Sequence, residues 1–287
     1  MERNSYCGRS ARGSGKMKRH FVPALIVALN LVGLFLFTWP LLIDVEDFGF
    51  ADLTQATWLA GVLALVAVAI LALSINIRLL DSKTVAIVSV LVGLISALRL
   101  LGAGAVGIEP IWFLIILAAR ALGAELGFVI AILALAVSAL MSGGIGPWLA
   151  YQIIAAGWIA LGVGLIPKKL NFKVERIALA LYGFLVAFLF GLLMDLQLWP
   201  WLLGSDTQLS YLPGASVGEN LSRFITFHFA TALSWDLPRA IVTATLIMVT
   251  ARPVLNSLKR ASVRLNAVAD WREINEHAKV ETVASRP

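Results

Sequence analysis

Cysteine is nearly absent. Cys7 stands alone, so the chain can form no internal disulfide and no cysteine-based metal site. Charge is scarce too: 14% of the 287 residues are Asp, Glu, Lys or Arg. A soluble domain carries about a quarter. No Walker-type glycine-rich loop ending in Lys-Ser or Lys-Thr occurs, which excludes ATP binding by that route. What is abundant is apolar: 60% of residues are hydrophobic and the mean hydropathy is +0.88. The excess comes in blocks near the ~20 residues that cross a bilayer core. An all-α, polytopic membrane protein follows.

The blocks place spans near 21–43, 56–77, 84–102, 110–122, 125–141, 147–166, 176–200 and 222–250. The fourth is short, and with the fifth it forms a bent pair around Arg120 and Gly123. The leader at 1–20 is basic, but no small-residue cleavage site follows the first apolar block, so that block reads as a retained helix. With the N-terminus inside and the spans alternating, all of the 23 Lys and Arg except Arg99, Arg223 and Arg239 fall on the inner side. That bias puts both ends in the cytoplasm of a bacterial inner membrane. The outer loops are acidic, with Asp44, Glu46, Asp47, Asp52, Glu109, Asp206 and Glu219. Retention and anionic headgroups explain the basic tail at 259–287 better than nucleic acid does.

Two motifs are coincidences of composition. Gly102–Gly107 fits G-x-G-x-x-G but follows a membrane helix, not a strand. Gly214–Gly218 fits G-x-S-x-G, yet Ser216 lacks the strand–turn–helix of a nucleophile elbow. No enzymatic activity and no resident cofactor are expected.

Polar groups within spans carry more information, because they face the interior and pair. Asp236 and Arg239 are three apart on one helical face, with Pro238 giving a kink, and form a structural ion pair. Arg120 faces Glu125 across a tight turn, while Arg99 and Glu109 flank the outer glycine-rich loop and can clamp it shut. Asp195 lies beside Trp199 and Trp201 near the outer end of its span. Trp148, Gln152 and Ala155 share a face of the sixth span, with Tyr151 beside them. Phe224, Phe227, His228 and Thr231 form a stripe at the same depth of the last span, below Asn220 and Arg223. Together with Glu109 and Trp112, these stripes predict an aromatic, hydrogen-bonding vestibule open to the outside. Plain helix packing is the competing reading for each residue.

The stretch from "GIEPIWFLIILAARALGAELGF" through "GPWLAYQIIAAGW" to "TALSWDLPRAIVTATLIM" resembles the substrate-binding (S) components of energy-coupling factor (ECF) vitamin transporters. The likeness rests on the proline-led short helix Pro110–Leu122, the G-x-x-x-G-F turn at Gly123–Phe128, the Gly146-Pro147-Trp148 helix start and the Gln152…Gly157-Trp158 run. It covers about Lys83 to Leu258. The resemblance implies a six-helix core at 83–258, with two additional transmembrane helices at 21–82. It also implies capture of a vitamin from outside and delivery through a T subunit driven by two ATPase subunits. Docking on the T subunit would use small residues at four-residue spacing: Ser89, Gly93 and Ala97 give it here, the family's Ala-xxx-Ala appears as Ala86-xxx-Val90, and a more literal match, Ala24-xxx-Ala28, lies in the first span. The outer loops Gly102–Glu109 and Leu202–Leu221 would close over the ligand. The Gly-Pro-Trp…Gln…Gly-Trp run is most similar to the cobalamin branch, which would bring His228 toward cobalt. Riboflavin, folate, thiamine and queuosine-type bases are the other vitamins in question. The alternative is a stand-alone, proton-coupled secondary transporter with Asp236 or Asp195 as relay; a ligand-free scaffold is a third reading.

Overall fold

In lipid the backbone must satisfy its own polar groups, so apolar runs of this length fold as helices. The computed structural model describes residues 27, 28, 30–39, 41, 42, 61, 62, 66, 69, 82–102, 107–202 and 207–284, and among these no strand occurs. The elements are α1 (Asn30–Trp39), α2 (Ser82–Leu101), α3 (Trp112–Leu122), α4 (Ala124–Ser142) and α5 (Trp148–Gly162), which ends in a 3-10 turn. They are followed by α6 (Phe172–Leu202), α7 (Val217–Thr231) and α8 (Leu233–Ala284). Among the described residues five helices are long and apolar enough to cross a membrane: α2, α4, α5, α6 and the first part of α8, to Ala261. The leader at 1–20 and most of the span expected at 56–77 lie outside the described residues.

Glycine and proline set the helix ends. Gly143 adopts φ 65° and donates its N–H to the Ala139 carbonyl, which also accepts from Gly144, so α4 stops in a left-handed cap. Pro147 precedes α5, where its missing N–H costs nothing. Gly123, at φ 100°, is the single residue between α3 and α4. Below it Gly127 lets the two helices touch; a methyl there would overlap the Ala119 backbone.

α3 is the centre. At 11 residues it is about 16 Å long, half a bilayer core. It survives because it meets protein on nearly all sides: seven of its residues, Trp112 to Ala119, are buried. A helix apolar all round belongs in a core. α2, α4 and α5 pack together on one flank, α6 and α8 on the other, and α3 fills the space between.

The α6–α8 seam is closed by small residues. Gly183, Ala187 and Gly191 stand at four-residue spacing on α6. Methyl groups on Gly183 and Gly191 would run into Thr243 and Ile247, and into the Asp236 carboxylate. Such spacing lets backbones approach closely in lipid, where packing and hydrogen bonds drive association.

One expectation is corrected here. The span expected at 222–250 is two helices: α7 ends at Thr231, and Ala232 breaks the run before α8. α8 then runs on past residue 258 to Ala284.

Candidate functional site

A chain of charged side chains joins the turn before α3 to α8. Glu109 accepts from Trp112 Nε1 at 2.8 Å and pairs with Arg239 Nη2 at 3.1 Å. Arg239 Nη1 reaches Asp236 Oδ1 at 2.5 Å and donates to the Ala187 carbonyl at 3.4 Å. The guanidinium sits 5.1 Å from the centroid of Phe190, whose ring lies 4.4 Å from that of Trp112. A cation over an aromatic face, screened from water, is well placed. Asp236 is 2% exposed, pressed against Gly191.

The pairing is incomplete. Asp236 Oδ2, Arg239 Nε and Thr243 Oγ1 are buried and have no hydrogen-bond partner. Positions 236, 239 and 243 follow one face of α8. Buried polar atoms usually find partners, so three unpartnered ones on one face set this stretch of α8 apart.

A second pair lies alongside. His228 Nδ1 is 2.8 Å from Asp195 Oδ2, and the imidazole stacks on Phe224 at 6.0 Å. Asp195 is one helical turn from Gly191, and the charges of Asp195 and His228 reach Asp236. Where the carboxylate accepts from Nδ1–H, Nε2 is the basic nitrogen of the ring.

The expected vestibule residues divide. Glu109 and Trp112 join the Asp236–Arg239 ion pair, and Asp195 and His228 pair with each other alongside it. Trp199, Phe224 and Phe227 instead bury themselves in a cluster with Trp39, Leu196 and Tyr211. Residues 209–212 strap that cluster: Trp199 Nε1 donates to the Leu209 carbonyl at 2.7 Å, and Asn220 bonds both the N–H and the C=O of Leu212. Asn220 is thus a loop fastener. Thr231 is exposed and returns its hydroxyl to the Phe227 carbonyl. Trp148 is 44% exposed with its ring beside Gly146, and Tyr151 is buried against Phe37. Gln152 accepts from Arg99 at 2.6 Å. The α5 and α7 stripes therefore do not face each other across an open cleft: each has its own partners, and α1 supplies some of them.

The clamp expected between Arg99 and Glu109 is not made. Arg99 bonds Gln152, Ser138 Oγ and the Leu135 carbonyl, tying α2 to α4 and α5. Arg120 pairs with Glu175 at 2.7 Å and not with Glu125, because its guanidinium caps the carbonyls of Ile166, Pro167 and Lys168 at the end of α5. Lys259 joins Glu175 at 3.2 Å. A cavity of about 250 Å³ opens beside them, lined by Arg120, Lys168, Glu175 and Lys259 among small residues. Ser216 caps α7 by accepting from the Glu219 N–H, which gives the G-x-S-x-G serine a structural role.

No family model matches this chain, and neither does a curated protein or a solved structure. Among the described residues no group of three or more His, Cys, Asp or Glu is placed to hold a metal.

The small-residue face of α2 is uncovered. Ala86, Ser89, Gly93 and Ala97 are exposed, while Val88, Leu91, Val92, Ile95 and Ser96 turn inward. A side chain added at Gly93 would meet nothing within 4 Å.

Three features escaped sequence reasoning: the Glu109–Arg239 link, the Glu175 partners of Arg120, and the docking of α1. The first two join residues 130 and 55 positions apart, which no local spacing encodes. The Gly183–Ala187–Gly191 spacing was a usable signal for the α6–α8 seam.

Proposed function

We propose that the chain is the substrate-binding subunit of an ECF-type importer, taking up a vitamin, first among them a corrinoid. The observation that carries this is the orphaned polar set Asp236 Oδ2, Arg239 Nε and Thr243 Oγ1, beside the His228–Asp195 pair and the Trp112–Phe190 rings. Apolar walls with a few fixed polar groups suit a large, ring-bearing solute rich in hydrogen-bond donors. The exposed Ala86–Ser89–Gly93–Ala97 face of α2 supports docking on a T subunit, with two separate ATPases supplying energy. The crowding of Lys83, Arg120, Lys168, Lys169, Lys173, Arg176, Arg252 and Lys259 at one end of the helices supports an orientation with that end in the cytoplasm.

The test is titration of the purified chain with cyanocobalamin, then riboflavin, folate, thiamine and queuine, read by tryptophan fluorescence. Saturable quenching by one of them, lost in Asp236→Asn or His228→Ala, is expected. No quenching by any of the five would overturn the reading. A second reading, a stand-alone proton-coupled transporter, is favoured by the surplus of carboxylates: Glu109, Asp195 and Asp236 pair with one guanidinium and one imidazole, and the charge of Arg99 also acts on Glu109. Uptake into vesicles holding this chain alone, driven by a pH gradient, would establish it instead.

A further inference from the structure

We propose that Arg176 of α6 and Arg252 of α8 together bind the phosphate of an anionic lipid headgroup. Both guanidinium groups converge on one ring. That of Arg176 lies 6.0 Å from the centroid of Phe172, and that of Arg252 lies 5.8 Å from it. Each is within cation–π reach of the ring, so two like charges from two helices are held at neighbouring positions. The adjacent carboxylate is engaged elsewhere: Glu175 pairs with Arg120 at 2.7 Å and with Lys259 at 3.2 Å. Among the described residues Arg176 Nε is buried with no hydrogen-bond partner. A guanidinium presents a planar fork of N–H donors that matches phosphate oxygens, and an anion between two such groups offsets their repulsion.

Their depth says which phosphate. α6 carries no charge from Ile177 to Met194. At 1.5 Å per residue that run is about 27 Å long, close to the thickness of a hydrocarbon core. α8 carries none from Ala240 to Ala251. Arg176 and Arg252 are the first charges beyond these runs at this end, which puts them at the edge of the core, where headgroups lie. Just inside them, Ile177 and Leu181 on α6 and Val249 on α8 are exposed apolar side chains. A headgroup held by the arginines would lay its acyl chains over that surface, and free phosphate has no use for it. Basic sites between membrane helices are a known means of holding anionic headgroups. The site is separate from the His228–Asp195 pair, since Asp195 stands at the opposite end of the same uncharged run.

The experiment titrates the purified full chain in detergent with palmitoyl-oleoyl phosphatidylglycerol, with the matching phosphatidylcholine, or with sodium phosphate. Native mass spectrometry reads the bound adducts. The parent is expected to prefer phosphatidylglycerol. A basic residue near a headgroup is worth about fivefold in affinity, so Arg176→Gln with Arg252→Gln should weaken phosphatidylglycerol binding roughly twentyfold. Arg252→Gln alone, at an exposed position, should weaken it about fivefold and keeps the test open if the double variant does not fold. Arg176→Lys with Arg252→Lys keeps the charge but loses the fork, and a loss of binding is expected there too. Lys168→Gln with Lys169→Gln removes as much charge from the same end and should retain the preference for phosphatidylglycerol. Equal binding by the parent and the Arg→Lys pair would reduce the effect to general surface charge and overturn the site. So would phosphatidylcholine bound as tightly as phosphatidylglycerol. Phosphate adducts that vanish in the Arg→Gln pair, without any lipid preference, would assign a free anion and overturn the lipid.

Discussion

Gly191 is the most demanding position in the α6–α8 seam, and Gly191→Ala tests the seam directly. The added methyl would overlap the Asp236 carboxylate, which is buried and bonded to Arg239. Either α6 and α8 separate or Asp236 swings off its partner. Removing one member of a buried pair costs about 3–5 kcal/mol. Alanine's helix preference over glycine returns about 1 kcal/mol. The net loss is about 2–4 kcal/mol. Thermal melting in detergent, followed by tryptophan fluorescence, measures the ranking. Gly93→Ala is the control, because its Cβ meets nothing within 4 Å and only the helix preference of about 1 kcal/mol remains, as a gain. The sharper measurement is a cycle with Asp236→Ala. Without the carboxylate the methyl has room, so the double variant should be more stable than the sum of the single losses by about 0.5–3 kcal/mol. Strict additivity would refute the claim that Asp236 sits on Gly191.

The other end of the bundle offers a similar contrast. Arg120→Ala breaks a pair whose side chains are both 7% exposed and should cost about 3–5 kcal/mol, whereas Lys259→Ala, with a side chain 48% exposed, should cost under about 1 kcal/mol; equal losses would contradict the burial argument. Gly107 and Gly143 share a positive φ, 66° and 65°, but a methyl on Gly107 would overlap the Trp235 carbonyl, while Gly143 has open space. Gly143→Ala should therefore lose only the left-handed strain of about 1–2 kcal/mol, and Gly107→Ala more, read in the same melts. Tyr182→Phe removes the 2.6 Å bond to the Ile159 carbonyl between α6 and α5 and should cost about 0.6 kcal/mol, up to about 1.7.

Much of this architecture can be read from the residues. The boundaries from the end of α2 to the start of α5 fall where Gly102, Gly123, Gly143 and Pro147 interrupt apolar runs, because these residues end helices by backbone chemistry alone. The Asp236–Arg239 pair follows from the helical repeat. The break at Ala232 does not: "FATALSW" contains no glycine or proline, and Ala232 keeps helical dihedrals. The nearest signal is Pro238, which cannot donate to the Ser234 carbonyl. A second clue is the polar composition of 219–228, with Glu219, Asn220, Ser222, Arg223, Thr226 and His228 too close together for a span. The partners of the polar residues expected at the vestibule were less legible. Trp112 bonds Glu109 and Asp195 pairs with His228, but Trp148 and Thr231 face outward, since a helical face alone does not say which neighbour will cover it.

The charges of the site bear on how it works. Glu109, Asp195 and Asp236 are paired with Arg239 and His228, and the charge of Arg99 also acts on Glu109, so full ionisation with a neutral imidazole leaves one uncompensated negative charge. At membrane depth such a surplus is costly and is relieved by a proton or by a positive or donor-rich group brought in by the solute. The two functional readings differ in which of these arrives. If the solute supplies the donors, its binding enthalpy should be the same in buffers of different ionisation enthalpy, because no proton moves. If a proton arrives with it, the observed enthalpy should scale with the buffer's, and Asp195→Asn should remove that dependence by deleting one surplus charge. A buffer-dependent enthalpy unchanged by Asp195→Asn would place the titrating group outside this network and separate proton uptake from the His228–Asp195 pair.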